Sequence, residues 1–347
     1  MKGKTAIMKP TFVYLAQNTA RDPQWGRDSR SLLEVSLDKL YENYNNRFGQ
    51  SIIIFHEGDF KANDQVAIAK GRPEISFHEI EFKIPDFLDK SKVPDIWVSS
   101  AGKAYGEWGL GHRHMCRFYT LQVFDLLDEL GYDWICRFDD YSILHSPIDY
   151  DLFEYMDNNN LEYGYRVDSQ EPFRLTEGFS EQLLNYISEF DVTPTFFDEH
   201  IWKPGIKDKL MNCYYQMMAI RWPLKKNNLR IAGTYDNWGY FNNFFISKLS
   251  FWKSLPVQRF LHYFDQMGAS HIHHWNDLIL QSAAVQIFMQ KNKVHKFEDW
   301  TYEHATIRNG QLEYGGIWRG NKDTEGLAVK SFEKRYGAAV FDIDKTY

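Results

Sequence analysis

The stretch Gly131-Tyr-Asp-Trp-Ile-Cys-Arg-Phe-Asp-Asp-Tyr141 decides the fold. Its apolar and aromatic run, Tyr132 to Phe138, reads as a buried strand that stops at two adjacent carboxylates, Asp139 and Asp140. Upstream spacing predicts a helix over Arg113–Leu130 that feeds it. In an α/β protein, residues at the carboxyl end of such a strand face the ligand crevice. Two carboxylates there repel each other unless something positive lies between them. A divalent metal carrying a nucleotide diphosphate answers that need, because hard oxygen ligands suit Mg²⁺ and Mn²⁺. An acidic turn after a strand is the plainer alternative, since Asp is a common turn residue. The dipeptide alone does not separate the two.

Working outward, Thr11–Ala16, Ser51–Phe55 and Ile75–Phe82 read as strands, with helices over Ser31–Phe48 and Ala62–Lys70 between them. Leu33, Leu37, Leu40, Tyr41, Tyr44 and Phe48 set the helical period of the first, and Gly49 ends it. This alternation implies parallel pairing with right-handed crossovers. No glycine-rich dinucleotide fingerprint or P-loop lysine opens either helix. Lys83–Gly111 reads as a long connection. Beyond the acidic turn the expected order is helix Tyr150–Asn159, strand Leu161–Val167 and helix Thr176–Phe190. An irregular Asp191–Lys209 follows, then strands Leu229–Thr234 and Tyr240–Ser247. Helices Phe251–Met267 and Asp277–Lys291 and strand Val294–Phe297 complete it. The expectation is one mixed, mainly parallel α/β domain over residues 11–310. Residues 1–10 precede it as an extension, and 311–347 form a C-terminal extension packed on the same domain.

Hydrophobic residues make up 44% of the 347, enough for a substantial core. Aromatics reach 17%, which suits a site that stacks rings on sugars or bases as well as aromatic core packing. A net charge of -7 argues against a broad nucleic-acid footprint and leaves room for one local phosphate site. Arg113, His114 and Arg117 form a basic cluster suited to that role. Cys116, Cys136 and Cys213 show no zinc spacing and are too few for a disulfide scaffold. Neither a signal-peptide core nor a run approaching the ~18 apolar residues of a membrane span is visible. The chain as given therefore reads as soluble.

Tyr105-Gly followed by Arg113-His-Met-Cys-Arg-Phe118 resembles the signature of the fungal Golgi α-1,2-mannosyltransferases. Thr11–Leu15, Ile148-Asp-Tyr-Asp-Leu-Phe153, Asn243-Phe244, Tyr263-Phe-Asp265, Trp275-Asn-Asp277, Val294-His295 and Tyr302-Glu-His304 are similar in order and kind. The resemblance runs from about Thr11 to His304. It implies a GT-A fold, a metal-dependent glycosyltransferase retaining anomeric configuration, GDP-mannose as donor, Mn²⁺ (or Mg²⁺) as cofactor, a glycan acceptor and a role in protein glycosylation. It implies the Golgi lumen if an anchor precedes this chain, and the cytoplasm otherwise.

Carried over by motif, the metal ligands are Asp139, Asp140 and His304. Tyr105, Arg113, His114, Arg117, Arg137, Asn243 and Trp275 are assigned to donor or acceptor binding. Two departures matter. Asp139-Asp140-Tyr141 stands where the family has Glu-Pro-Asp. Phe245 stands where the family has its candidate nucleophile, a glutamate, and a phenyl ring cannot attack a sugar carbon. Three consequences are open: front-face departure without a nucleophile, substitution by Asp277 or Asp236, or a relative that only binds glycan or nucleotide sugar. Asp277 is the preferred catalytic candidate, against a plain helix N-terminal carboxylate. A nucleotidyltransferase is disfavoured by the glycine-poor segment after the first strand. His271-Ile-His-His-Trp275 reads as acceptor-pocket or surface histidines, since such spacing seldom converges on one metal ion.

Overall fold

The structure is a computed structural model. It describes residues 8–18, 29–99, 108–140, 142–203, 205–207, 209–210, 213–214, 217, 232–300 and 302–304, with short strand pieces between 307 and 318. A seven-stranded sheet carries the molecule: β1 (Pro10–Leu15), β2 (Ser51–His56), β3 (Ile75–Glu79), β4 (Trp134–Phe138), β5 (Tyr163–Tyr165), β6 (Phe244–Lys248) and β7 (Val294–Lys296). Their order across the sheet is β7-β5-β6-β4-β1-β2-β3. The pairs β1–β2, β1–β4, β2–β3 and β5–β7 are parallel, while β6 runs antiparallel to both β4 and β5.

Both faces of the sheet are covered, which explains strands that are apolar at consecutive positions. On one face Val13, Ile53, Ile135, Tyr163 and Phe245 pack with residues of helices α3 (110–129), α5 (Phe179–Glu189), α6 (Leu255–Gln266) and α7 (Asp277–Phe288). On the other, Phe12, Tyr14, Ile52, Ile54, Phe138 and Phe244 pack with α1 (Ser29–Leu40), α2 (Ala62–Ala69) and α4 (Leu152–Asn158). The strand period of two thus feeds two separate cores.

Several elements differ from expectation. The strand over Tyr240–Ser247 is two strands, Trp238–Tyr240 and β6, separated by a turn at Asn242-Asn243. The helix over Phe251–Met267 divides at Ser254, because Pro256 has no N–H to donate and sits instead in the first turn of α6. The helix α3 contains a π-helical turn, Phe118–Gln122, and a second one, Tyr41–Asn45, follows α1. The connection over 83–111 contains a short antiparallel pair, Ile96–Trp97 with Trp108–Gly109. Residues 206–217 are helical at every described position, although the irregular stretch was expected to run to Lys209. Of the expected strand Leu229–Thr234, positions 232–234 form a turn and 229–231 lie outside the described residues.

Candidate active site

Three chain segments meet at the carboxyl end of β4. Asp139 directly follows this strand. Because β6 runs antiparallel and pairs Phe244 with Phe138, Asn243 is delivered next to Asp139. The strand Tyr302–His304 pairs with Ser142–Leu144, with His304 opposite Ser142, and brings an imidazole to the same place. The amide of Asn243 donates to Asp139 Oδ2 at 2.7 Å and lies 3.2 Å from His304 Nε2. A carboxylate oxygen and a ring nitrogen therefore converge on one point. Ser142 holds the turn: its Oγ accepts from the Asp139 N–H at 3.2 Å and lies 2.6 Å from the Tyr302 hydroxyl.

A second layer backs this point with positive charge. The buried Arg137 guanidinium donates to Asp139 at 2.8 Å and 3.2 Å and to Asp277 Oδ2 at 2.5 Å. It also lies over the Tyr119 ring, 3.5 Å from the centroid. Asn242 donates to the same oxygen of Asp277 at 2.8 Å and to Gln281 at 3.1 Å. The part-buried Asp139 and the buried Asp277 thus share one guanidinium, which offsets part of their desolvation. Burial alone would raise the Asp139 pKa. The Arg137 charge, followed by His304 and Asn243, outweighs it and holds the carboxyl below its ordinary range. Burial pushes the His304 imidazole down to about 4, so the ring is neutral at physiological pH. An ionised carboxylate beside a neutral imidazole is a donor set that fits Mn²⁺. Among the described residues no three His, Cys, Asp or Glu side chains form a complete ligand cage, so the remaining positions would fall to a bound ligand or water.

Asp277 is not the cap of its helix. Asn276 occupies that position and accepts from the Ile279 N–H at 3.1 Å, which leaves the Asp277 carboxylate to face Arg137. Phe245 lies opposite Arg137 across the β4–β6 pair, fully buried and stacked on Tyr163 at 5.7 Å. Asp140 is buried beside Asp139, and Tyr141 and Tyr105 lie outside the described residues.

The other expected site residues have the following partners within the fold. Arg113 is fully buried and donates to the carbonyls of His271, Pro94 and Asp95, tying α3 to the adjoining connection. Arg117 makes a two-point pair with Asp265 at 2.8 Å and 2.9 Å. His114 stacks on Phe82 and lies 3.1 Å from His271 Nε2. Trp275 is a core ring: its N–H donates to the Glu177 carbonyl, and it packs against Phe179 and Phe264. Asp236 accepts from the Trp238 N–H and approaches His200 at 3.5 Å, the geometry of a turn-stabilising carboxylate outside the Asp139–Asp277 layer. His271 and His274 are buried, so the surface reading of these two histidines is corrected. Sequence reasoning missed Asn242, Gln281 and Glu171. Burial raises the Glu171 carboxyl to about 7, with Asn276 opposing and nearby Asp277 adding to the rise. Its raised pKa is a signal that only the folded chain displays.

The family described as glycolipid 2-alpha-mannosyltransferase matches residues 15–322. The chain belongs to this family. It is 25% identical over 335 residues to the glycolipid 2-alpha-mannosyltransferase 2 of Candida albicans, covering 93% of this chain and 65% of that protein. Against the glycolipid 2-alpha-mannosyltransferase of Saccharomyces cerevisiae the identity is 26%, over 89% of this chain and 64% of that protein. The chain therefore spans about two thirds of the length of these relatives. Among solved structures, the core-mannan synthase A of Aspergillus fumigatus in its Mn/GDP form superposes with a TM-score of 0.69 at 16% identity. That match covers 96% of this chain and 86% of the other. The mannosyltransferase Ktr4p of S. cerevisiae gives 0.66 at 19% identity, covering 87% and 72%. The fold is the GT-A-like fold of these enzymes. No helix among the described residues is long and apolar enough to cross a membrane.

Proposed function

We propose that this protein is a metal-dependent mannosyltransferase that moves mannose from GDP-mannose to a sugar hydroxyl with retention of configuration. The observation that carries this reading is the convergence of Asp139 and His304 on the Asn243 amide at the end of β4. Family membership supports it, as does the Mn/GDP form of the A. fumigatus neighbour. Asp139 and His304 would hold Mn²⁺, which supplies charge neutralisation for the departing diphosphate. A Golgi-lumen setting suits this donor and family.

Asp277 is then the group that orients the acceptor hydroxyl, with Arg137 and Asn242 fixing its carboxylate. With Phe245 in place of a carboxylate, front-face departure is the route that fits. The bond between C1 and the phosphate oxygen breaks, and its electron pair leaves with GDP. The acceptor oxygen bonds to C1 from the same face, and its proton passes to a phosphate oxygen. Phe245 also favours a second reading, a relative that binds nucleotide sugar or glycan without turnover.

The test is to incubate the protein with Mn²⁺ and a panel of nucleotide sugars and follow nucleotide diphosphate release with and without mannosides. GDP-mannose is the expected donor, and Asp139→Ala is expected to abolish both turnover and Mn²⁺-dependent GDP affinity. The transferase reading fails if no donor turns over; the metal-site reading fails if Asp139→Ala leaves GDP affinity unchanged.

A further inference from the structure

One face of α3 is turned to the layer that holds Arg137 and Asp277. Met115 Sδ lies 3.8 Å from an Arg137 nitrogen, Cys116 meets Asp277, and the Tyr119 ring underlies the guanidinium. His112 precedes Met115 and Cys116 by one helical turn, so it shares their face. It is half-buried and lies closest to the start of the helix.

His112 adjoins a wall of rings. On the short antiparallel pair Trp97 lies opposite Trp108, with ring centroids 5.7 Å apart. Ile96 and Val98, on either side of Trp97, are exposed, so the strand period turns Trp97 inward. His274 lies behind these rings, its centroid 4.7 Å from Trp97, 4.5 Å from Trp108 and 5.4 Å from His112. It is buried, while the other three are half-buried and keep part of their surface in contact with solvent. Two costs are held at His274. Its φ of 55° lies in the left-handed region, and neither ring nitrogen has a hydrogen-bond partner on another described residue. Strain of this kind clusters at positions that hold a ligand.

A hexopyranose presents a face of C–H groups and a rim of hydroxyls. Aromatic rings with a few placed polar groups are the usual lining of such a ligand site. Here the polar group is His112. Burial holds its imidazole below the ordinary range, with Asp277 opposing, so the ring is neutral at physiological pH and offers one donor and one acceptor. A sugar hydroxyl uses both. The nearby Asp277 carboxylate disfavours an anion, so the wall suits a neutral sugar better than the donor diphosphate.

We propose that Trp97, Trp108 and His112 form the subsite for the acceptor mannoside, with His112 bonding a sugar hydroxyl and the two indoles covering its C–H face. This rests on the transferase reading of the Asp139–Asp277 site and extends it from the reacting hydroxyl to the sugar that carries it.

The probe is methyl α-mannoside, titrated calorimetrically into the full chain in Mn²⁺ and GDP. The parent is expected to bind it. Trp108→Leu is expected to weaken binding about fivefold, within the range of one aromatic contact. His112→Ala is expected to weaken it about fivefold as well, the order of one hydrogen bond, and His112→Gln to recover most of that loss. GDP affinity is expected to stay at the parent value in all three, and in turnover the acceptor KM should rise more than kcat falls. The two His112 variants carry the test alone if Trp108→Leu does not fold. The proposal is overturned if the parent does not bind the mannoside, if Trp108→Leu and His112→Ala both keep its affinity, or if GDP affinity falls by the same factor. A parent that binds mannoside through these residues but turns over no donor overturns the transferase reading and leaves the sugar subsite standing.

Discussion

At Asp277, one position of helix register separates a cap from a working carboxylate. Asn276 takes the cap, so the Asp277 side chain is left facing Arg137 and Asn242. Replacement by asparagine keeps the shape and removes the charge. Asp277→Asn is expected to lower kcat by about a hundredfold, the order of loss that misplacing a reacting group by about 1 Å brings. Its GDP affinity in Mn²⁺ should stay near that of the parent, which steady-state kinetics and calorimetry would check. A parallel loss of GDP affinity would instead place Asp277 at the diphosphate. The sequence made Asp139, Asp277, His304 and Asn243 visible through motif order. It could not show that Arg113 and Trp275 are buried fixtures, because a motif gives residue identity and not the direction a side chain takes.

Among the elements, the strands and the helices between them follow from apolar spacing, and most begin and end within a few residues of expectation. The exceptions have local causes. The Asn242-Asn243 turn interrupts an otherwise strand-like run, and that interruption lets both amides reach the carboxylates. The π-helical turns leave the apolar period nearly intact, so spacing cannot reveal them. Gly164, in the centre of β5, shows how tightly the antiparallel insertion packs. A Cβ built there would come within 2.7 Å of both Ile246 Cγ2 and Phe297 Cε2, and 3.1 Å of Met156 Sδ. Gly164→Ala is expected to destabilise the fold by about 1–3 kcal/mol through overpacking. Urea denaturation would read this as a lower midpoint at unchanged slope, and an unchanged midpoint would show that the strand can shift.

Across the whole molecule, buried imidazoles set the response to acid. Burial first, with neighbouring His114 for His271 and His112 for His274, pushes both rings down to about 3. An unfolded histidine titrates near 6.5, so the folded state binds fewer protons between these values. The stabilisation is complete above about pH 6.5 and is lost as pH falls toward 3. Glu171, raised from 4.5 to about 7, acts in the opposite sense, but a single carboxyl is outweighed by two rings. Denaturation midpoints are therefore expected to hold above pH 7 and decline steadily below 6.5. His271→Gln should make that decline shallower, and an equal decline in the variant would remove His271 as its source.

The pairing of Tyr302–His304 with Ser142–Leu144 also bears on how the protein matures. Asn243 lies 104 residues after Asp139, and His304 a further 61 residues on. Contacts so remote in sequence form late, after the loops between them have closed. Competence to hold a nucleotide diphosphate is thus acquired at the end of folding, and a chain still emerging from the ribosome has both cores under construction before it has a site. In refolding, tryptophan fluorescence should recover ahead of Mn²⁺-dependent GDP binding, leaving a compact species that is not yet able to bind its donor.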